Sequence, residues 1–228
     1  MMNTVIEELR LMRISLESGK GPISKPKEIR QNEIMEPSHR EETDIRGSIV
    51  RRYYKTTIEV ACIPVKEKGD DKKQKELAIL SKLSECTNIL KFYGMANLDG
   101  HHNMIVEWTH YGNLMETYEA YDIPWTRKLH IATDICRAIT FLQSVEIYHH
   151  DLRCENVMLT SNLEPKLANF EYARMAAATT SSITNLVKVV HWLAPEKMNE
   201  MKDKSDKYRY DSKCEIFRYS IDFTYIKK

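Results

Sequence analysis

The chain has 228 residues, of which 42% are hydrophobic and 29% charged, and this composition is ordinary for a folded protein of one large domain or two small lobes. Its formal net charge of +1 lacks the sign asymmetry that predicts a nucleic-acid or membrane-surface partner. Five scattered cysteines without a CxxC pair argue against a zinc site and a disulfide framework, and they favour a reducing cytosolic or nuclear setting.

The N-terminus is predicted to form an amphipathic helix over residues 1–21. Its apolar residues recur at steps of three and four, at Val5, Leu9, Met12 and Leu16. Packing on the main domain is the favoured interpretation, and binding of a partner is the alternative. The charged first ten residues do not form a signal peptide, and no apolar run approaches the roughly 20 residues of a membrane helix. Residues 22–44 are polar and contain prolines, so they are interpreted as a linker or an edge segment.

Strand signals dominate residues 45–109. The stretch IEVACI alternates with period two, so that Ala61 and Ile63 face one side and Val60 and Cys62 the other. A helix follows, with one apolar stripe formed by Leu77, Leu80 and Leu83. Two further strands joined at Asp99-Gly100 are predicted to form a hairpin.

Helix signals dominate after Gly112. A long buried helix is predicted from apolar residues spaced three or four apart, namely Leu129, Ala132, Ile135, Cys136, Ile139 and Leu142. The chain therefore consists of a strand-rich lobe followed by a helix-rich lobe. This order predicts an α+β fold with two lobes.

Six short stretches then occur in a fixed order: EVACI, KELAIL, EWTHYGNL, HHDLRCEN, NFE and WLAPE. In this order and spacing, residues 45–220 resemble the protein kinase superfamily, specifically its tyrosine-kinase-like group. The chain is also similar to fungal kinase-like proteins and to mixed-lineage kinase domain-like pseudokinases. The resemblance implies a bilobal protein-kinase-like fold, with an N-lobe over 45–109 and a partial, truncated C-lobe over 110–228.

The resemblance also implies a degraded nucleotide site. Its cofactor-binding positions are Ala61, Ile63, Glu76, Glu107, Thr109 and Met158. Arg46, Ser48 and Arg51 stand at the three positions of the glycine-rich loop, where only glycine permits close approach to phosphates. Ile63 replaces the phosphate-binding lysine and offers no charge or donor. Lys66 points to the other face of the strand and is not expected to substitute for it.

The stretch HHDLRCEN, which corresponds to the catalytic loop, departs less from the kinase pattern than NFE, which corresponds to the metal-binding triplet. The resemblance implies that Asp151 is the catalytic base and that Asn156 and Asn169 are the metal positions. Asn169 replaces an aspartate, and a neutral amide oxygen binds Mg²⁺ less well than a carboxylate. Glu171 is a speculative replacement for that carboxylate. His150 replaces an arginine that is regulatory and not chemical.

The remaining positions concern architecture and regulation. Four apolar or aromatic residues are expected to stack through both lobes, namely Leu80, Phe92, His149 and Phe170. Glu215 is expected to brace the catalytic loop, and Glu196 is a regulatory position at the end of the activation segment. The final stretch RYSIDFTYIKK departs from the kinase pattern. The missing helices would uncover the apolar face of the long helix around Ile135 and Ile139.

Three functions remain open at this level. The favoured hypothesis is a pseudokinase that acts as a cytoplasmic signalling interaction or switch module, with ATP and Mg²⁺ as cofactors only if binding is retained. An active or weakly active protein kinase is the second hypothesis, and a truncated, non-functional fragment is the third. A protein partner is expected, with no nucleic acid and no membrane, and the oligomeric state is not indicated.

Overall fold

The computed structural model describes residues 26–39, 41–65, 76–80, 83, 86–175 and 212–224. The predicted N-terminal helix, Lys66, the Ser/Thr-rich activation segment and Glu196 lie outside the described residues. Within the described ranges, no helix has the length and hydrophobicity needed to cross a membrane.

The N-terminal lobe is built on one seven-stranded sheet. Its strands are β1 (Glu28–Ile29), β2 (Ile34–Met35), β3 (Ile45–Arg46), β4 (Ile49–Tyr54), β5 (Ile58–Pro64), β6 (Phe92–Leu98) and β7 (His101–Glu107). The order is β1-β6-β7-β5-β4-β2, with β3 paired to β4, and only the β1–β6 pair is parallel. The predicted hairpin is confirmed, because Asp99 and Gly100 connect β6 to β7 and both have positive φ.

The two faces of this sheet bury two different cores, as the alternation in β5 predicts. Val60 and Cys62 pack in an outer cluster beneath Ile29 and Ile34, whereas Ala61 lies in the main core. Residues 26–39 supply strands at both ends of the sheet order and cover this outer face. They therefore form an edge segment of the sheet and not a free linker.

Among the described residues of the C-terminal lobe, three helices organise the fold, namely α1 (Leu114–Ala120), α2 (Trp125–Ser144) and α3 (Ser212–Thr224). Short strands complete it, namely β8 (Gly112–Asn113), β9 (Ile147–Tyr148), β10 (Val157–Leu159), β11 (Pro165–Leu167) and β12 (Arg174–Met175). The strand order β11-β10-β8 forms one small sheet, and β12 pairs with β9 to form another. These strands hold the loops that carry the site.

Two expectations about the long helix are wrong. Its buried face consists of Ile131, Ile135, Ala138, Ile139 and Leu142. Leu129 is 50% exposed and Cys136 is also exposed, because both lie off this stripe. Ile135 and Ile139 are not uncovered; they are 2% and 4% exposed and belong to the main core.

The main core runs through both lobes, and the four predicted stacking residues are all buried in the fold. Leu80 and Phe92 are 5% and 6% exposed, and His149 and Phe170 are completely buried. The rings of His149 and Phe170 are in edge-to-face contact with centroids 4.8 Å apart. The helical stripe of Leu77, Leu80 and Leu83 also points into this core, as predicted.

Candidate active site

The candidate site lies where the sheet lobe meets the helical lobe. The connection between them is the hinge, which we define as residues 107–112. Trp108 and Thr109 are buried within it, and Gly112 ends it with a φ of +72° that favours glycine. Met158 of β10 lies beside the hinge, because it pairs with Asn113 of β8. The cofactor-binding positions Thr109 and Met158 are therefore on neighbouring elements.

The catalytic loop is held by hydrogen bonds that begin at a buried histidine. The Nδ1 atom of His149 accepts from the backbone N–H of Asp151 at 3.2 Å. The Nε2 atom must then carry the proton and donate to the carbonyl of Ala168 at 2.9 Å. His149 therefore links the loop to the strand that precedes the metal triplet, and this explains why a polar side chain is completely buried at this point.

Asp151 and Asn156 are directly connected. The Nδ2 group of Asn156 donates to the backbone carbonyl of Asp151 and to its carboxylate Oδ2, both at 2.7 Å. A short 3₁₀ turn at Cys154–Asn156 brings the two side chains together. The predicted catalytic base is thus fixed in orientation by its neighbour, and its half-buried carboxylate lies on the catalytic loop.

The predicted brace on this loop is confirmed. His150 has a φ of +64°, a conformation that costs energy for a residue with a side chain. Its backbone N–H donates to Oε1 of Glu215 at 2.8 Å, and Glu215 is completely buried in α3. The regulatory position is therefore held from beneath by a buried carboxylate, and this carboxylate stabilises the strained backbone of His150.

The two metal positions are bonded to each other. The Nδ2 group of Asn169 donates to Oδ1 of Asn156 at 3.0 Å. This bond uses one of the two acceptor sites of the amide oxygen of Asn156. Glu171 is exposed, and no group of three or more His, Cys, Asp or Glu side chains that could hold a metal occurs among the described residues. Two mutually bonded amides do not fit Mg²⁺, which prefers carboxylate oxygens.

The phosphate side of the cleft carries no cation at the lysine position. Ile63 is half-buried in β5, pairs with Met104 and packs against the main core. Ala61 is buried beside Val106 in the same pair of strands. Glu76 is buried, with 4% of its surface exposed, in the helical segment 76–80. The side chain at the lysine position is therefore apolar, as the sequence implies.

The strands of the degraded glycine-rich loop are joined by a tight turn. Arg46 pairs with Ile49, so only Gly47 and Ser48 lie between β3 and β4. Arg51, at the third of the predicted glycine positions, forms ion pairs with the buried carboxylate of Asp44 at 2.7 Å and with Glu59 at 2.9 Å.

Arg46 reaches the hinge, which sequence reasoning missed. Its Nη1 group donates to the carbonyl of Thr109 at 2.5 Å, and its Nη2 group donates to the carbonyl of His110. Its guanidinium lies 4.4 Å from the ring centre of Trp108. The contact joins residues that are far apart in the chain, so no local sequence signal could have predicted it.

The structure brings some of the predicted site residues together and separates others. Asp151, Asn156 and Asn169 are brought together in one hydrogen-bonded cluster. Ala61 and Thr109 are buried near the hinge, whereas the side chain of Glu107 is directed to Lys166, with 3.6 Å between Oε1 and Nζ. The two predicted metal positions therefore lie together, but both carry neutral amides.

The sheet lobe, the hinge and a catalytic loop braced by a helix carboxylate define a protein-kinase-type domain. A family profile described as protein tyrosine and serine/threonine kinase matches residues 43–222, most of the chain. The chain belongs to this family.

Several curated relatives match this domain. Calmodulin-binding receptor-like cytoplasmic kinase 2 of Arabidopsis thaliana is 29% identical over 64% of this chain and 39% of its own length. Fibroblast growth factor receptor 1 of Dugesia japonica is 26% identical over 64% of this chain and 18% of its own length. Probable serine/threonine-protein kinase kinX of Dictyostelium discoideum is 25% identical over 61% and 12%. The chain spans less than half the length of each of these relatives.

Proposed function

We propose that this protein kinase domain is a pseudokinase, which serves as a signalling interaction or switch module with weak or absent binding of ATP and Mg²⁺. The observation that carries the proposal is the hydrogen bond between Asn169 and Asn156. Two neutral amides occupy the metal positions, and Ile63 supplies no charge to the phosphates. The likeness to fungal kinase-like proteins and to mixed-lineage kinase domain-like pseudokinases belongs to this proposal as a prediction.

The energetic reasoning concerns charge. Phosphoryl transfer depends on fixed positive charge around the transferring group, and it needs little covalent chemistry from the protein. Loss of the lysine charge and of the metal-binding carboxylate acts on the same phosphates. The two losses together should cost several kcal/mol of transition-state stabilisation. A protein partner and a cytoplasmic location are parts of the proposal, and five free cysteines are compatible with a reducing compartment.

A weakly active kinase is the second candidate. It is favoured by the geometry of Asp151, whose carboxylate is oriented by Asn156 at 2.7 Å. This geometry is suited to accept a proton from a substrate hydroxyl. The two candidates differ in whether the wild-type chain responds to ATP and Mg²⁺ together.

The test is a thermal-shift measurement on the wild type, Asn169→Asp, Ile63→Lys and the double variant. The ligands are ATP alone, Mg²⁺ alone and both together. A ligand present at 100 times its Kd stabilises a protein by about 2.7 kcal/mol, which corresponds to a rise in Tm of about 5–10 °C for a domain of this size. We expect a Mg²⁺-dependent rise of this order for the double variant and no more than about 1 °C for the wild type.

Asn162→Asp is the matched control, because Asn162 is exposed in a distant loop and the change adds the same charge. It should leave the wild-type response unchanged. A clear Mg²⁺-dependent shift of the wild type with ATP, accompanied by transfer of phosphate to protein, would support the weakly active kinase instead.

A further inference from the structure

The guanidinium of Arg46 is directed at the hinge. Both terminal nitrogens donate to backbone carbonyls, those of Thr109 and His110, and the flat face of the group lies over Trp108. A guanidinium has a planar fork of N–H donors, and bidentate contact combined with stacking is its strongest mode of recognition. The hinge therefore holds this side chain in the way that a protein holds a bound ligand, by paired hydrogen bonds and stacking.

A glycine and a carboxylate lie next to this group. A Cβ added to Gly112 would be in ordinary contact with Nη1 of Arg46 at 3.6 Å and tight, at 3.0 Å, only against Oε2 of Glu116, so it is the φ of +72° that favours glycine here. Burial lowers the pKa of Arg46, and the Glu116 carboxylate acts in the opposite direction by raising it. Glu116 thus offsets part of the cost of taking the charge out of water.

A second chain of contacts joins the same strands to the hinge. Arg51 on β4 pairs with Asp44 and with Glu59 of β5, at 2.7 and 2.9 Å. The second carboxylate oxygen of Glu59 lies 2.9 Å from Nε2 of His110, a contact that is an ion pair when the imidazole is protonated. Arg46 therefore belongs to a larger set of polar contacts between the sheet and the hinge.

We propose that Arg46 is an internal plug, which occupies the hinge carbonyls in place of the base of a nucleotide and holds the sheet against the hinge without a ligand. The inference rests on the proposed function and deepens it. The edge of an amino-substituted purine is also planar and also donates N–H groups to carbonyls. Arg46 and such a base compete for the carbonyl of Thr109, so the site can accept the base only when Arg46 has left.

The probe is adenosine, because it carries neither phosphate nor metal and so does not depend on Ile63 or Asn169. Its binding is measured by titration calorimetry and by ligand-observed NMR on the full chain. We expect Arg46→Ala to bind adenosine at least 10-fold more tightly than the wild type. Arg46→Lys keeps the charge but loses the planar fork. The affinity of Arg46→Lys for adenosine should exceed that of the wild type at least threefold.

Arg52→Ala is the matched control, since Arg52 lies on β4, pairs with Glu36 and Asp99, and has no described contact with the hinge. Its affinity for adenosine should equal that of the wild type. Cooperative unfolding in urea establishes that each variant is folded. Arg46→Lys preserves length and charge, so it tests the proposal even where Arg46→Ala does not fold.

The outcomes separate this inference from the proposed function. Adenosine affinities within twofold of the wild type in folded Arg46→Lys, and in Arg46→Ala where it folds, would overturn the plug alone. A wild-type response to ATP with Mg²⁺ would overturn the pseudokinase proposal, whatever the adenosine affinities. Tighter adenosine binding by the Arg46 variants, without a Mg²⁺-dependent response to ATP, would support both.

Discussion

Gly94 is the residue at which the edge segment meets the sheet, and replacing it by alanine should detach that segment. Gly94 has a φ of +146°, and a Cβ at this position would lie 2.3 Å from the carbonyl oxygen of Lys27. The same carbonyl accepts the backbone N–H of Met95 at 2.8 Å. Backbone atoms cannot rotate away, so the strand β1 must move by about 1 Å to reach an ordinary contact distance.

The expected cost follows from three contributions. The hydrogen bond from Met95 to Lys27 is worth about 1 kcal/mol. The positive φ costs about 1–2 kcal/mol for a residue with a side chain. Ile29 follows Lys27 closely and is 4% exposed, so exposing it costs about 1.5–3 kcal/mol if β1 leaves the sheet. Gly94→Ala should therefore lower the free energy of unfolding by about 3.5–6 kcal/mol.

Urea denaturation measures this loss, and hydrogen exchange locates it. Gly100→Ala is the matched control, because Gly100 has a φ of +83° and nothing within 4 Å of the added Cβ. It should lose only the conformational contribution, about 1–2 kcal/mol. The Met95 amide should lose protection in Gly94→Ala and keep it in Gly100→Ala. Equal destabilisation by the two variants, with Met95 still protected, would refute the close-approach reasoning.

Three further predictions concern the loop brace, the outer core and the long helix. Glu215→Ala should lower the free energy of unfolding by about 2–3 kcal/mol, because it removes the acceptor of the His150 N–H. Glu215→Gln keeps an acceptor oxygen and should lose less of this free energy. Equal losses of the two variants in urea denaturation would count against the brace. Burial raises the pKa of Cys62 to about 11. The unfolded chain therefore loses the thiol proton first, and this group should lower the free energy of unfolding by about 2 kcal/mol as pH rises from about 9 to 11. In Cys62→Val the fall over this pH range should be smaller by that amount. Ile135→Ala should lower the free energy of unfolding by about 2–5 kcal/mol, and Leu129→Ala should lower it by less than about 0.5 kcal/mol. Similar losses of stability for the two variants in thermal unfolding would contradict the buried stripe.

The sequence was sufficient where a feature depends on neighbouring residues. The alternation of β5 predicts that Ala61 and Ile63 face one side and Val60 and Cys62 the other, because side-chain direction in a strand has a period of two, and the structure places the two sets against different cores. The hairpin at Asp99 could be predicted because the residue pair itself supplies the turn geometry. The order of the motifs predicts the kinase fold, because each motif lies within a short stretch of the chain.

The sequence was insufficient where a feature depends on distant residues. Leu129 is apolar and helically spaced, yet a helix of this pattern can place its buried stripe in more than one position, and the packing partners decide. Residues 26–39 have little apolar periodicity, and their place on the sheet depends on Gly94 accepting a close backbone approach. The contact of Arg46 with the hinge crosses more than 60 positions of the chain.

These long-range contacts are the means by which the proposed pseudokinase would keep the shape of its cleft without a nucleotide. Buried or partly buried polar groups must find partners, and a cofactor commonly supplies some of them. In this chain Asn169 is bonded to Asn156, and Arg46 takes the hinge carbonyls. On the two proposals, protein contacts hold these positions without a nucleotide. A partner that acts on the proposed switch would then have to displace such contacts, and those of Arg46 with the hinge are the first to test.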